Sequence, residues 1–330
     1  MRWIATTLAL ALVSSLPAQN RVETFTFPDG TLIPGWTAQW YTWKILNKRL
    51  VPTGGRNFHY ITNNAISGVK DCVLDVEVIY PTVVSLHYGG VCARHPGGSG
   101  ENGLVMTKLQ DNSSGGTYNS TWLYERPGGA IAVTGTAMGT TKHAVVRMFV
   151  KGNTARFEVD KDMDGIFDVK SAVKTFSNTA TNPSGLVGIC GYNAAEMDNW
   201  KFYEAWMIED PTTTPTIGTT YKMIFESPLH GGATPRPTPW LGLLSAGNKG
   251  FPLTNGVHIP LTFDALLVNS LGFGWSGVLT STAPKGTLAL NIPNMQSLVG
   301  LKLYAAAITL GSGRPGGWGF VSNAHGFVIK

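Results

Sequence analysis

Charged side chains are scarce in this chain: Asp, Glu, Lys and Arg make up only 14% of its 330 residues. A surface helix needs a charged outer stripe, and no long window alternates at helical period with Glu and Lys on one side, so helix is expected to be minor. Cysteine is scarcer still, with Cys72, Cys92 and Cys190 as the full set. None of them sits at metal-binding spacing, and the seven histidines form no H-x-x-x-H pair, which argues against a zinc site. Beyond the first 18 residues no segment offers the ~20 uninterrupted apolar residues of a membrane span. Lys and Arg are scattered, without the clustered bases and interleaved aromatics of a nucleic-acid groove. There is no G-x-S-x-G elbow, no G-x-x-x-x-G-K-[ST] loop and no dinucleotide fingerprint after a strand, so serine-hydrolase and nucleotide chemistry lack support.

What is plentiful is Gly, at 40 residues, and Pro, at 19. Strand-length apolar runs punctuated by Gly, Pro, Asn and Ser dominate, which predicts an all-β chain of antiparallel sandwiches. Met1–Ala18 reads as a cleaved export signal: Arg2 supplies the positive end, Ile4 to Val13 is mostly apolar, and Leu16-Pro17-Ala18 ends on a small residue. The expected product is secreted. Formal net charge is +5, and residues 221–330 carry seven bases against two acids.

Asp210-Pro211-Thr212-Thr213-Thr214-Pro215 opens a Pro/Thr segment over 209–220 that predicts a semi-rigid linker. It would divide a first domain (19–208) from a smaller sandwich (221–330). Strands are expected in the first at 23–27, 43–50, 72–80, 84–94, 104–109, 120–125, 144–150, 155–159, 186–191 and 200–205. In the second they are expected at 223–226, 240–245, 257–261, 276–280, 286–292, 302–310 and 327–329, with a helical turn near 297–301. Gly152-Asn153 between two runs predicts a tight hairpin. Pairing 72–80 with 84–94 about Pro81-Thr82-Val83 sets Cys72 opposite Cys92 and Glu77 opposite His87. Leu74, Val76 and Val78 then share the cysteines' face. A Cys72–Cys92 disulfide follows, with Cys92–Cys190 as the other pairing left open.

Asp160, Asp162 and Asp164 alternate, Gly165 follows, and Asp168 lies four residues beyond Asp164. Several oxygen ligands around a sharp turn suit a hard cation, and calcium is the expected one. Four carboxylates within nine residues repel one another without a counter-ion, whereas a plain solvated turn would need only the Asp and Gly. The loop resembles the calcium loops of thrombospondin-type and dockerin-type segments. It differs from a full EF-hand loop in having Ser171 where a bidentate Glu is usual.

Trp122, Tyr124 and Arg126 fall at alternate positions of one strand and point the same way, a pattern fit for stacking on a sugar ring. Trp36, Trp40, Tyr41 and Trp43 are expected in the core. On another strand, Asp75, Glu77 and a cross-strand His87 share a polar face.

Phe25-Thr26-Phe27, Gly35-Trp36, Trp43-Lys44-Ile45, Asp75-Val76-Glu77-Val78, Gly89-Gly90-Val91-Cys92-Ala93-Arg94, Phe157-Glu158-Val159-Asp160 and Met197-Asp198-Asn199-Trp200 follow in an order similar to the concanavalin A-like jelly roll, in particular LamG-like modules. The resemblance covers about 20–206 and implies binding of an extracellular glycan or other cell-surface ligand, often near calcium, or a purely structural role in an extracellular assembly. Glycoside hydrolases share the fold, and Asp75 with Glu77 would be the catalytic pair. Their strand signature Glu-x-Asp-x-x-Glu has Val73 in its first position here, so one acid is missing. Residues 221–330 resemble an uncharacterised β-rich extension of exported bacterial proteins.

Overall fold

The structure is a computed structural model that describes residues 20–330 apart from 32, 54–57, 81–86, 111–117, 135–140, 177–183, 194, 229–234, 254–256 and 312–316. The export signal and the Pro81-Thr82-Val83 turn lie outside the described residues.

Two antiparallel sheets pack face to face. A nine-stranded sheet runs from Val169–Lys170 through Thr154–Asp160, His143–Lys151, Cys72–Ile79, Glu196–Tyr203 and Arg49–Thr53 to Thr42–Leu46. Asn20–Glu23 pairs with Glu196–Tyr203, and Lys174–Thr175 with Thr154–Asp160. A seven-stranded sheet runs from Gly129–Thr134 through Ser120–Glu125, Val105–Gln110, Tyr88–His95, Leu186–Tyr192 and His59–Asn63 to Trp36–Trp40. Period-2 alternation puts Leu74, Val76, Val78, Val146, Met148, Phe157 and Trp200 of the first sheet against Trp36, Ile61, Val91, Val105, Leu123 and Ile189 of the second, all buried. The expected β-sandwich is what the chain forms.

Turn chemistry sets the register. Lys151 pairs with Thr154 across Gly152-Asn153, and Gly152 takes φ +54°. The run expected as one strand over 43–50 is a hairpin instead. Asn47 and Lys48 adopt φ +52° and +60°, the left-handed pair that a two-residue turn requires. The strands Trp36–Trp40 and His59–Asn63 were not expected.

One expected pairing is overturned. Cys72–Ile79 pairs with His143–Lys151 and Glu196–Tyr203, whereas Tyr88–His95 pairs with Val105–Gln110 and Leu186–Tyr192. The two runs, adjacent in sequence, enter opposite sheets. Cys72 therefore faces the core with Leu74, while Cys92 faces outward from the other sheet beside Cys190. All three cysteines are free and buried, and the Cys72–Cys92 disulfide is not formed. Burial pushes the Cys190 thiol up to about 12, so it stays protonated.

In the second half, Trp206–Glu209, Thr220–Glu226 and Lys285–Asn291 form a three-stranded sheet. Ser276–Leu279, Thr238–Ser245, Lys302–Leu310 and Trp318–Val321 form another, with His325–Val328 on Lys302–Leu310. Tyr221, Met223, Phe225, Leu244, Leu288 and Ala307 fill the core between them. A short helix, Ala265–Ser270, is capped by Asp264, whose side chain accepts from the Leu267 amide. A 3-10 turn at Gln296–Leu298 lies at the expected helical turn. The Pro/Thr segment joins two paired strands, since Trp206 pairs with Glu226 and Glu209 with Met223. Strand pairing thus changes sheets between Tyr203 and Trp206, ahead of the segment. Among the described residues no helix is long and apolar enough to cross a membrane.

Candidate functional site

The outward face of the nine-stranded sheet carries the first group of expected residues. Backbone register sets Glu158, Arg147, Asp75 and Lys201 in one row across four strands. Their charges alternate. Arg147 donates from Nε and Nη2 to both oxygens of Asp75, at 2.7 and 2.8 Å, and from Nη1 to the Ala324 carbonyl at 3.0 Å. Asp75 is 3% exposed and Arg147 4%. Burial alone would lower the Arg147 guanidinium, but Asp75 outweighs it and holds the pKa above its ordinary value.

Glu77 accepts from Asn199 and meets His143, while His87 packs 5.4 Å from the Tyr80 ring and outside this face. Burial would raise the Glu77 carboxyl, yet those hydrogen bonds hold it below the usual range. The expected Glu77–His87 pair is corrected, because the strand leading from His87 belongs to the opposite sheet. Asp75 spends both oxygens on Arg147 beneath the second half of the chain, so the expected Asp75/Glu77 pair does not face an open groove. This face is a seam. Lys151 meets Glu226, Lys170 donates to Glu209 at 2.6 Å, and Phe149 and Tyr203 pack with Trp206. An apolar groove of about 210 Å³ beside Trp206 and Phe149 belongs to the same seam.

The acidic loop closes one end of that seam. Carboxylate oxygens of Asp160, Asp162 and Asp168 lie within 4.8 Å of one another. Asp160 accepts the Gly165 amide at 2.7 Å, and Asp168 accepts the Lys161 amide at 3.2 Å. Burial, reinforced by Asp162 and Asp164, pushes Asp160 up to about 6. Crowded carboxylates with their oxygens converging fit a hard cation. Asp164, expected in the same set, turns away: it pairs with Lys302, and its carbonyl accepts from the Tyr304 hydroxyl. Gly165 at φ +84° is required here, because a Cβ would lie 1.9 Å from Asn248 Nδ2 and 2.9 Å from Tyr304 Cε1.

The outward face of the seven-stranded sheet is different in kind. Register sets Tyr60, Cys190, Gly90, Lys108 and Trp122 in one row across five strands. The next positions bring up Tyr88, Tyr124 and Tyr192. Trp122 and Tyr124 are half-buried and stack at 5.7 Å, and the Trp122 indole donates to Ser120 Oγ at 2.8 Å. Tyr88 stacks on Tyr192 at 5.1 Å, and Trp40 on Tyr60 at 6.2 Å. Trp40 thus stands on this outward face and Tyr41 is 38% exposed, against the core position expected of both.

Two cations stand among these rings. The Lys108 ammonium is 4.0 Å from the Tyr88 centroid, 4.9 Å from Tyr124 and 5.0 Å from Phe58. Arg126 lies 4.2 Å from Phe58 and 5.8 Å from Tyr124. Glu101 accepts from the Tyr60 hydroxyl at 2.8 Å. The expected Trp122, Tyr124 and Arg126 do share this face; Tyr60, Tyr88 and Lys108 join them from other strands, and Phe58 from just ahead of His59–Asn63. Lys108 could have been found from its own strand. It follows Leu104 and Met106 at alternate positions, a lone ammonium on an apolar outward row.

No family model matches this chain, and no curated protein matches it. Among solved structures it is similar to the carbohydrate binding module CBM66 from Bacillus subtilis, with 16% identity over 51% of this chain and 94% of that one, at TM-score 0.40. It is also similar to lectin II from Ulex europaeus, with 8% identity over 56% and 97% and TM-score 0.41. A third similar structure is the Ca2+-bound VIP36 exoplasmic/lumenal domain, with 13% identity over 56% and 89% and TM-score 0.39. Nothing about ligands passes to this chain from matches of that size.

Proposed function

We propose that this chain is an exported, non-catalytic carbohydrate-binding protein whose sugar-binding surface is the outward face of the seven-stranded sheet. One observation carries the reading: the half-buried Trp122 and Tyr124 stack side by side next to Arg126 and Lys108. Sugar rings present apolar C–H faces edged by hydroxyls. Half-buried aromatics held by a rigid strand meet the first, and nearby polar groups meet the second. Export follows from the Met1–Ala18 signal pattern.

Calcium belongs to the same proposal, at Asp160, Asp162 and Asp168. The ion would neutralise the converging carboxylates and brace the loop against Tyr304 and Lys302, which makes its role structural. A glycan array on the purified chain tests the reading. Binding should be present, and Trp122→Ala or Tyr124→Ala should each weaken it by roughly tenfold, the upper end of what an aromatic contact is worth. Full retention of binding in the double variant would overturn the assignment.

A further inference from the structure

Lys108 is 3% exposed, yet it is ringed by aromatic carbon. Among the described residues no carboxylate, carbonyl or hydroxyl accepts from its ammonium; its neighbours are the faces of Tyr88, Tyr124 and Phe58. A buried charge ordinarily sits against a counter-charge, as Arg147 does against Asp75 on the opposite face. Ring faces compensate only in part for the lost hydration of the charge. Burial accordingly lowers the Lys108 pKa to about 8.

Arg126 is only partly compensated. Its Nε is buried without a hydrogen-bond partner. Glu101 forms a loose ion pair with it, Oε2 standing 3.8 Å from Nε while Oε1 accepts from Tyr60. Both cations flank the Phe58 ring. The cluster therefore holds two positive groups against one carboxylate, with donors left over and rings to stack on.

We infer that this face takes acidic sugars, with a uronate carboxylate seated at Lys108 and Arg126 and the pyranose face against the neighbouring rings. The inference rests on the proposed glycan-binding reading and names its ligand class. A carboxylate supplies the acceptor that Lys108 lacks and a closer one than Glu101 offers Arg126, and charge-assisted hydrogen bonds in a partly dry site are the strong ones. Neutral sugars would offer these donors only hydroxyl oxygens, weaker acceptors that leave the positive charge uncompensated.

The test uses the full chain on a panel of uronate oligosaccharides (galacturonate, glucuronate, mannuronate and guluronate) beside the carboxyl-reduced form of each. At least one uronate should bind tenfold or more tightly than its reduced counterpart. Lys108→Met, with its fold checked by circular dichroism, should bring the two within about twofold, while Lys108→Arg should keep the preference. If neutral glycans bind and no uronate is preferred, the inference falls and the glycan-binding reading stands. If no glycan of either kind binds, both fall. A preference that survives in Lys108→Met would also overturn the role given to this residue.

Discussion

Across the nine-stranded sheet Glu158, Arg147, Asp75 and Lys201 stand side by side; across the seven-stranded sheet the comparable row is Tyr60, Cys190, Gly90, Lys108 and Trp122. Both rows point away from the same core, and both include buried cations. In the first, each charge alternates with its opposite and the second half of the chain covers the row. In the second, Lys108 stands among rings with no acceptor, and Arg126 beside it has only a loose ion pair with Glu101. A paired row is finished as structure, whereas an unpaired one has chemistry left over for something else.

The largest effect should come from breaking the paired row. Arg147→Met strands the buried Asp75 carboxylate, and loss of one partner from such a pair costs about 3–5 kcal/mol. Lys108→Met leaves no stranded partner, so it should change stability by no more than about 1 kcal/mol, the scale of a cation–π contact. Urea midpoints of the two variants check the contrast, and equal losses would erase it.

Acid should weaken both halves. Burial lowers His95 to about 4 and His325 to about 3, from an ordinary 6.5. Each is neutral in the fold and gains a proton more readily when unfolded. Their contribution is therefore complete above pH 6.5 and is lost as pH falls through about 4 to 3. At about 1.4 kcal/mol per pH unit for each group, the loss reaches a few kcal/mol. His325→Gln should show a shallower decline between pH 6.5 and 4 in denaturant titrations at stepped pH.

Calcium should stabilise the seam without being needed at the aromatic face. At free calcium one hundred times its Kd the gain is about 2.7 kcal/mol, read as a higher melting temperature. Asp160→Asn should abolish that gain while leaving glycan binding in place.

Glycine substitutions sharpen the comparison on the smallest scale. Gly165→Ala combines φ +84° with a Cβ 1.9 Å from Asn248 and should cost about 1–3 kcal/mol. Gly152→Ala has φ +54° but nothing within 4 Å, so only about 1 kcal/mol is expected. Parallel thermal melts of the two variants decide it.

Much of this molecule could be read from local pattern. The strand at 120–125 and the Lys302–Leu310 strand fall where alternation placed them, and Trp122, Tyr124 and Arg126 share the face expected of them. Partner choice between strands was not readable in the same way. Alternation states which side of a strand is apolar, and it is blind to which sheet the strand joins, so the pairing of Cys72–Ile79 with the next run failed. The acidic loop was legible as a turn with converging carboxylates. Asp164 departed from it because Lys302, distant in sequence, offers that side chain an ion pair. Trp206–Glu209 pairs across a Pro/Thr segment that composition alone marks as a linker.

Hydrogen exchange with and without the oligosaccharide that the array selects addresses the central claim most directly. Added protection should fall on Val105–Gln110, Ser120–Glu125 and Tyr88–His95, the strands beneath Lys108 and Arg126. Protection confined to His143–Lys151 and Thr154–Asp160, on the opposite sheet, would contradict it.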